Sequence, residues 1–254
     1  MKYSGTLQVE TLMKRRKEMA NGRKLWLVAI CCFALSAGGE GRSTAAQTRK
    51  SQGQAPSSST VKPLVFNFDS DPVGKLPARF RSALTGQGTP GTWVVKEDAT
   101  APSKPNALAQ TSTDSTDYRF PLAMLEEGSF KDLDLSVKFK AVGGKVDQAG
   151  GLIFRAQDAD NYYIVRANAL EDNYRLYHVV AGRRRQFAGV NLKVTSNQWH
   201  TLRVVAAGNR FQCYYDGELK IDATDNTFPN AGKVGLWTKA DSVTHFDDFE
   251  VSPR

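Results

Sequence analysis

The sequence predicts an all-β fold, with antiparallel strands arranged as a sandwich or a barrel. Three observations carry this. Roughly a dozen short β-rich runs between residues 64 and 251 are separated by turn-forming clusters. Leu133, Leu135, Val137 and Phe139 alternate with Asp134, Ser136, Lys138 and Lys140, as in a strand with one apolar face and one wet face. Asp216-Gly217 sits between two β-rich runs, and a tight hairpin needs the positive φ these residues accept.

The chain opens on a leader. Leu25 to Leu35 is an apolar run behind Arg23-Lys24. It is too short to span a bilayer and has the size of a signal-peptide core. Cleavage is expected after Ala37 or after Ala46, and Met19 gives a shorter positive region than Met1. Residues 1–46 therefore read as a leader, with Met19 the expected start. Residues 47–60 contain no large apolar side chain and read as a disordered linker. Residues 61–254 read as the folded domain, expected in the periplasm or outside the cell with no membrane span in its mature form.

Charge and cysteine usage narrow the function. The chain holds 34 Lys+Arg and 26 Asp+Glu, and the leader takes 8 and 3 of these. What remains is 26 against 23, a net of +3, which is no nucleic-acid footprint. Of the three cysteines, Cys31 and Cys32 fall in the leader, so Cys213 has no partner for an internal disulfide. The domain must be held by its core, and about 190 residues suffice.

Along the domain, Leu64–Asp69 reads as the first strand and Asp69–Pro77 as an irregular loop. Trp93–Asp98 is a strand, the prolines of Ala101–Asn106 break the pattern, and Ala107–Thr111 resumes it. Tyr118–Ala123 reads as an edge strand, because Pro121 cannot donate to a ladder. Leu133–Lys140 and Trp199–Ala207 follow, then the Arg210–Asp222 hairpin, and Lys233–Thr238 and His245–Val251 close the domain.

The stretch Gly150–Phe187 reads as a meander with turns at Gln157–Asn161, Glu171–Asn173 and Ala181-Gly182. Placing Arg155 opposite Tyr162, Ile153 opposite Ile164 and Arg166 opposite Arg175 makes two hairpins agree on faces. One face carries Leu152, Phe154, Tyr163, Val165, Ala167, Tyr174, Leu176 and His178. The other gathers Arg155, Tyr162, Arg166, Arg175 and Tyr177, with Trp237 and Lys239 joining it, and is expected to line a concave surface. Aromatic rings stack on the C–H side of a sugar, and guanidinium forks bond hydroxyls or a carboxylate. Arg183-Arg184-Arg185 reads as a solvated hairpin end, and Trp93 and Trp199 as core.

A family resemblance follows from six segments: Gly150-Gly-Leu-Ile-Phe-Arg, Asn161-Tyr-Tyr, Trp199-His-Thr-Leu-Arg-Val, Tyr214-Tyr-Asp-Gly-Glu-Leu, Gly232-Lys-Val-Gly-Leu-Trp-Thr and Phe246-Asp-Asp-Phe-Glu-Val. In this order they resemble the concanavalin A-like lectin/glucanase superfamily, near its laminin-G-like and DUF1080 (3-keto-disaccharide hydrolase-like) branches. The resemblance spans Leu64 to Val251. It implies a two-sheet jelly-roll sandwich and three functional classes: a carbohydrate- or glycoconjugate-binding module, a glycoside-acting hydrolase, or a laminin-G-like protein-interaction module. It also implies a structural Ca²⁺ where the first and last strands meet, with Asp248 and Asp69 or Asp71 as oxygen donors. The Glu-x-Asp-x-x-Glu run of the superfamily's glycosidases is absent from the sequence, so no catalytic pair is legible.

Overall fold

The computed structural model describes residues 62–254. The leader, Met19 and the linker lie outside the described residues. Fifteen strands form along the described chain: β1 (Leu64–Phe66), β2 (Phe80–Gly86), β3 (Trp93–Glu97), β4 (Asn106–Gln110), β5 (Arg119–Leu125), β6 (Leu133–Gly143), β7 (Ala149–Asp158), β8 (Asn161–Asn168), β9 (Asn173–Val180), β10 (Arg183–Asn191), β11 (Trp199–Ala207), β12 (Arg210–Tyr215), β13 (Glu218–Thr224), β14 (Lys233–Thr238) and β15 (Val243–Pro253). One sheet runs β13-β12-β11-β6-β15-β4-β3, with β1 beside β15. The other runs β10-β9-β8-β7-β14-β5-β2. Every ladder between named strands is antiparallel. Among the described residues no helix is long and apolar enough to cross a membrane.

Alternation builds the core. Leu133, Leu135, Val137 and Phe139 of β6 point inward, as the sequence pattern requires, and meet Leu152, Phe154, Tyr163, Val165 and Tyr174 of the opposing sheet. Trp93 and Cys213 lie in this core. Burial pushes the Cys213 thiol pKa up, so it is an inert small hydrophobe. The Asp216-Gly217 hairpin forms as expected, with φ of 48° and 82° at its two loop residues.

The loop over Asp69–Pro77 ends before β2, a strand that no sequence pattern announces because its burial does not alternate. Two readings of local structure are corrected. Because β2 pairs with β5, the proline-bearing strand β5 is interior rather than an edge. The ladder from β5 to β14 covers only Leu122–Met124 and so stops one residue past Pro121, which has no N–H to give. Trp199 is half-buried and lies outside the core: its indole N–H donates to Thr100 Oγ1 at 3.1 Å, and the Lys140 ammonium sits 5.0 Å from its ring centre.

The meander runs as β7–β8–β9–β10. Ile153 pairs with Ile164, Gly151 with Arg166, Arg166 with Arg175, and Ile164 with Tyr177. The expected Arg155–Tyr162 pair does not form. The β7–β8 ladder breaks between Phe154 and Asp158, and Arg155 sits in that bulge with a φ of +48°. Its side chain turns to the core side of the sheet. Nε donates to Lys131 O at 2.7 Å, Nη1 to Phe228 O at 3.1 Å and Nη2 to Gly208 O. The guanidinium lies 5.3 Å from the centre of the core ring Phe211. Arg155 is therefore a fully buried clamp and leaves the predicted face.

Candidate functional site: the outer face of the seven-stranded sheet

A second apolar cluster occupies the sheet face turned away from the core. Its members come from alternate positions of five neighbouring strands: Phe120, Leu122 and Met124, Trp237, Ile153, Tyr162 and Ile164, Tyr177 and Val179. Trp237 and Phe120 stack at 5.5 Å with an interplanar angle of 16°. The Tyr162 hydroxyl bonds to Thr85 Oγ1 at 2.8 Å, and burial pushes its pKa up. Tyr162 and Trp237 have no exposed surface. They are a floor beneath the polar side chains of the face rather than stacking platforms on top of it.

The polar layer is built by three arginines and a lysine. Arg166 stands on β8, with Nη2 donating to Glu171 Oε2 and to the Tyr177 hydroxyl, each at 2.9 Å, and Nη1 donating to Asn173 Oδ1. Arg175 stands opposite it on β9 and donates to Asn191 Oδ1 at 2.5 Å. Lys239, just past β14, bridges Asp117 at 2.7 Å and Asp147 at 2.9 Å. Burial raises the Asp147 pKa, and Lys239 and Arg166 oppose the rise. The other Asp147 oxygen accepts from Asn168 Nδ2 at 2.7 Å.

Arg184 is the residue the sequence reading missed. The two-residue turn Ala181-Gly182 pairs Val180 with Arg183 and Val179 with Arg184. Arg184 therefore shares a face with Val179 and Tyr177 and is not a solvated hairpin end. Its guanidinium lies 4.6 Å from the centre of the Tyr177 ring, 4.7 Å from Phe120 and 5.6 Å from Trp237. Burial pushes its pKa down. Turn parity was the available signal, since it fixes the face of Arg184 as soon as that of Tyr177 is known.

Two donors in this layer are buried without an acceptor: Arg166 Nε and Arg184 Nη1. The Trp237 indole N–H lies near the Tyr162 hydroxyl without reaching hydrogen-bond geometry. Buried guanidinium donors are normally matched, as those of Arg119 are by Thr89 O, Pro90 O and Ala240 O. Beside the polar layer, a cleft of about 540 Å³ is lined by Thr113, Ser115, Gly144, Lys145, Val146 and Asp241. Its three loops are those that carry Asp117, Asp147 and Lys239.

Of the aspartates expected as calcium donors, Asp248 with Asp69 or Asp71, two have protein partners of their own. Asp69 Oδ1 accepts from the Asn106 backbone N–H at 3.2 Å. Asp248 sits at a bulge of β15 with a φ of +46° and pairs with Lys138 at 2.9 Å. Its neighbour Asp247 is spent on Ser103. No group of three or more His, Cys, Asp or Glu able to hold a metal ion occurs among the described residues, Asp71 included.

Two antiparallel sheets packed face to face, with a cationic layer over an aromatic floor on one outer face, define a jelly-roll sandwich of the concanavalin A-like class. Residues 78–252 match the family described as the 3-keto-alpha-glucoside-1,2-lyase-like domain, and the chain belongs to that family. A levanase of Bacillus subtilis (strain 168) is 28% identical over 160 residues, which is 62% of this chain and 21% of the levanase. The chain thus spans about a fifth of that relative's length. Carbohydrate-binding module CBM66 from Bacillus subtilis superposes with a TM-score of 0.52 at 25% identity, covering 64% of this chain and 91% of the module. The exoplasmic/lumenal domain of VIP36, in its Ca²⁺/Man3GlcNAc-bound form, superposes with a TM-score of 0.52 at 13% identity, over 76% of this chain and 88% of that one. At that identity the likeness is one of fold.

Proposed function

We propose that this domain binds carbohydrate on the outer face of its seven-stranded sheet, through Arg166, Arg175, Tyr177, Arg184 and Lys239. The observation that carries the reading is the pair of buried, acceptor-less guanidinium donors, Arg166 Nε and Arg184 Nη1, set over an aromatic floor. A buried donor left unmatched costs about 1–3 kcal/mol. A ligand oxygen removes that cost, so the site is poised to gain on binding. The likeness to a carbohydrate-binding module supports the class of ligand. The levanase relative and the apolar run of the leader support an exported, periplasmic or extracellular location. A glycan array probed with the full chain, followed by calorimetry on the best hit, tests the reading. Arg166→Ala should weaken that hit, and an array with no hits contradicts the proposal.

A second reading, chemistry on a keto-glycoside, is favoured by Asp147. It is a buried carboxyl with a raised pKa, held between an ammonium and an amide. A release assay on array hits, with wild type and Asp147→Asn, separates turnover from binding.

A further inference from the structure

Resting on the carbohydrate-binding reading, we infer that the sugar this site takes is anionic, and that its carboxylate or sulfate group docks on Arg184. The argument is a balance of charges across one face. Lys239 is matched by Asp117 and Asp147, and Arg166 by Glu171. Arg175 meets only the neutral Asn191 side chain. Arg184 makes no ion pair among the described residues; burial and the like charge of Arg166 work against its cation, and Asp147 favours it only from beyond ion-pair distance. Arg184 is half-buried with its Nη1 fully buried, and of the cations on this face it is the one set among aromatic rings with no ion pair.

The aromatic rings do not fill that need. Tyr177, Phe120 and Trp237 meet the guanidinium within 4.6–5.6 Å of their ring centres. Ring faces offset part of the desolvation cost, but they accept none of the in-plane N–H bonds. Nη1 accordingly remains buried with no acceptor. The guanidinium makes no side-chain hydrogen bond among the described residues, and its unmatched fork fits the paired oxygens of an anionic group. A neutral hydroxyl can accept one such bond but cannot neutralise the charge.

The test is calorimetry on the full chain with matched oligosaccharides that differ only in a uronate carboxylate, with sulfated glycans and sodium acetate as further arms. The uronate or the sulfated glycan should bind at least about tenfold more tightly than its neutral counterpart. The advantage should shrink as salt rises from about 50 to about 200 mM, within the range over which charge contacts are screened. Arg184→Gln should reduce the anionic-to-neutral ratio to about one, and Arg184→Lys, which keeps the charge and loses the fork, should give an intermediate ratio. Arg185→Gln, a change of equal charge on the same hairpin, should leave the ratio as it is. Neutral sugars binding as well as uronates would overturn this inference and leave the carbohydrate reading standing. Binding of neither class would overturn both. A uronate advantage that survives Arg184→Gln would remove Arg184 from the role.

Discussion

The Arg184 guanidinium lies 4.6 Å from the centre of the Tyr177 ring, and the Tyr177 hydroxyl in turn accepts from Arg166 at 2.9 Å. One tyrosine thus couples two arginines that come from strands not adjacent in the sheet. Like charges this close repel, and the arrangement holds because Glu171 pairs with Arg166 and ring faces receive Arg184.

Arg166→Ala should weaken glycan binding by about 1.5–3 kcal/mol, the range for a hydrogen bond to a charged group. Arg166→Lys should recover part of the loss, since it restores the charge opposite Glu171 without the fork. Titration calorimetry on both variants, with melting curves alongside, reads this out.

Arg155→Ala should do the reverse. Its donors serve the carbonyls of Lys131, Phe228 and Gly208, and each would be left without its partner. A stability loss of about 2–4 kcal/mol is expected from several unmatched buried groups, with glycan affinity unchanged. A denaturant midpoint and a binding isotherm on one preparation check both halves.

Tyr163→Ala should cost about 3–5 kcal/mol of stability by opening a cavity against Phe154, Phe211 and Phe228. Tyr163→Phe keeps the packing and loses a hydroxyl that donates to Asp225 at 2.7 Å and accepts from the Phe228 N–H at 3.0 Å. Its cost should be smaller, about 1–3 kcal/mol. Urea unfolding of the two variants gives the difference directly.

Stability should fall as pH drops from about 7 towards 5. Burial holds His245 below its ordinary pKa, Asp98 at 2.7 Å from Nδ1 pulls it up, and Lys140 and Lys96 push it down again. The unfolded chain therefore binds the proton more readily than the folded one. Stability is present above the unfolded pKa of about 6.5 and is lost as pH falls towards the folded value, by at most about 1.4 kcal/mol per pH unit. Urea midpoints at about pH 7 and pH 5.5 should differ in the wild type and differ less in His245→Gln.

Most of the sandwich was legible because period-two alternation survives wherever one face is core. Leu133 to Phe139 and the Tyr163/Val165/Ala167 set were placed correctly by that rule alone. The candidate face was legible in part. Arg166, Arg175 and Tyr177 were assigned to it by hairpin parity, whereas Arg155 escaped because a bulge adds residues that parity cannot count. Arg184 was hidden in a run of three arginines that looks like solvent-facing charge. Only the parity of the Ala181-Gly182 turn singles out the middle arginine as the one that shares a face with Tyr177. Asp147 lay beyond reach as well, since its neighbours Lys239 and Asn168 are brought to it only by the loops at one end of the sheets.

The most direct test of the account is an amide and arginine side-chain NMR shift map of the labelled chain, titrated with its tightest glycan. The account predicts perturbations concentrated at Arg166, Arg175, Tyr177, Arg184 and Lys239, with the Arg166 and Arg184 guanidinium signals moving most. Perturbations centred on the outer face of the eight-stranded sheet, or on the Asp216-Gly217 hairpin, with those guanidinium signals unmoved, would contradict it.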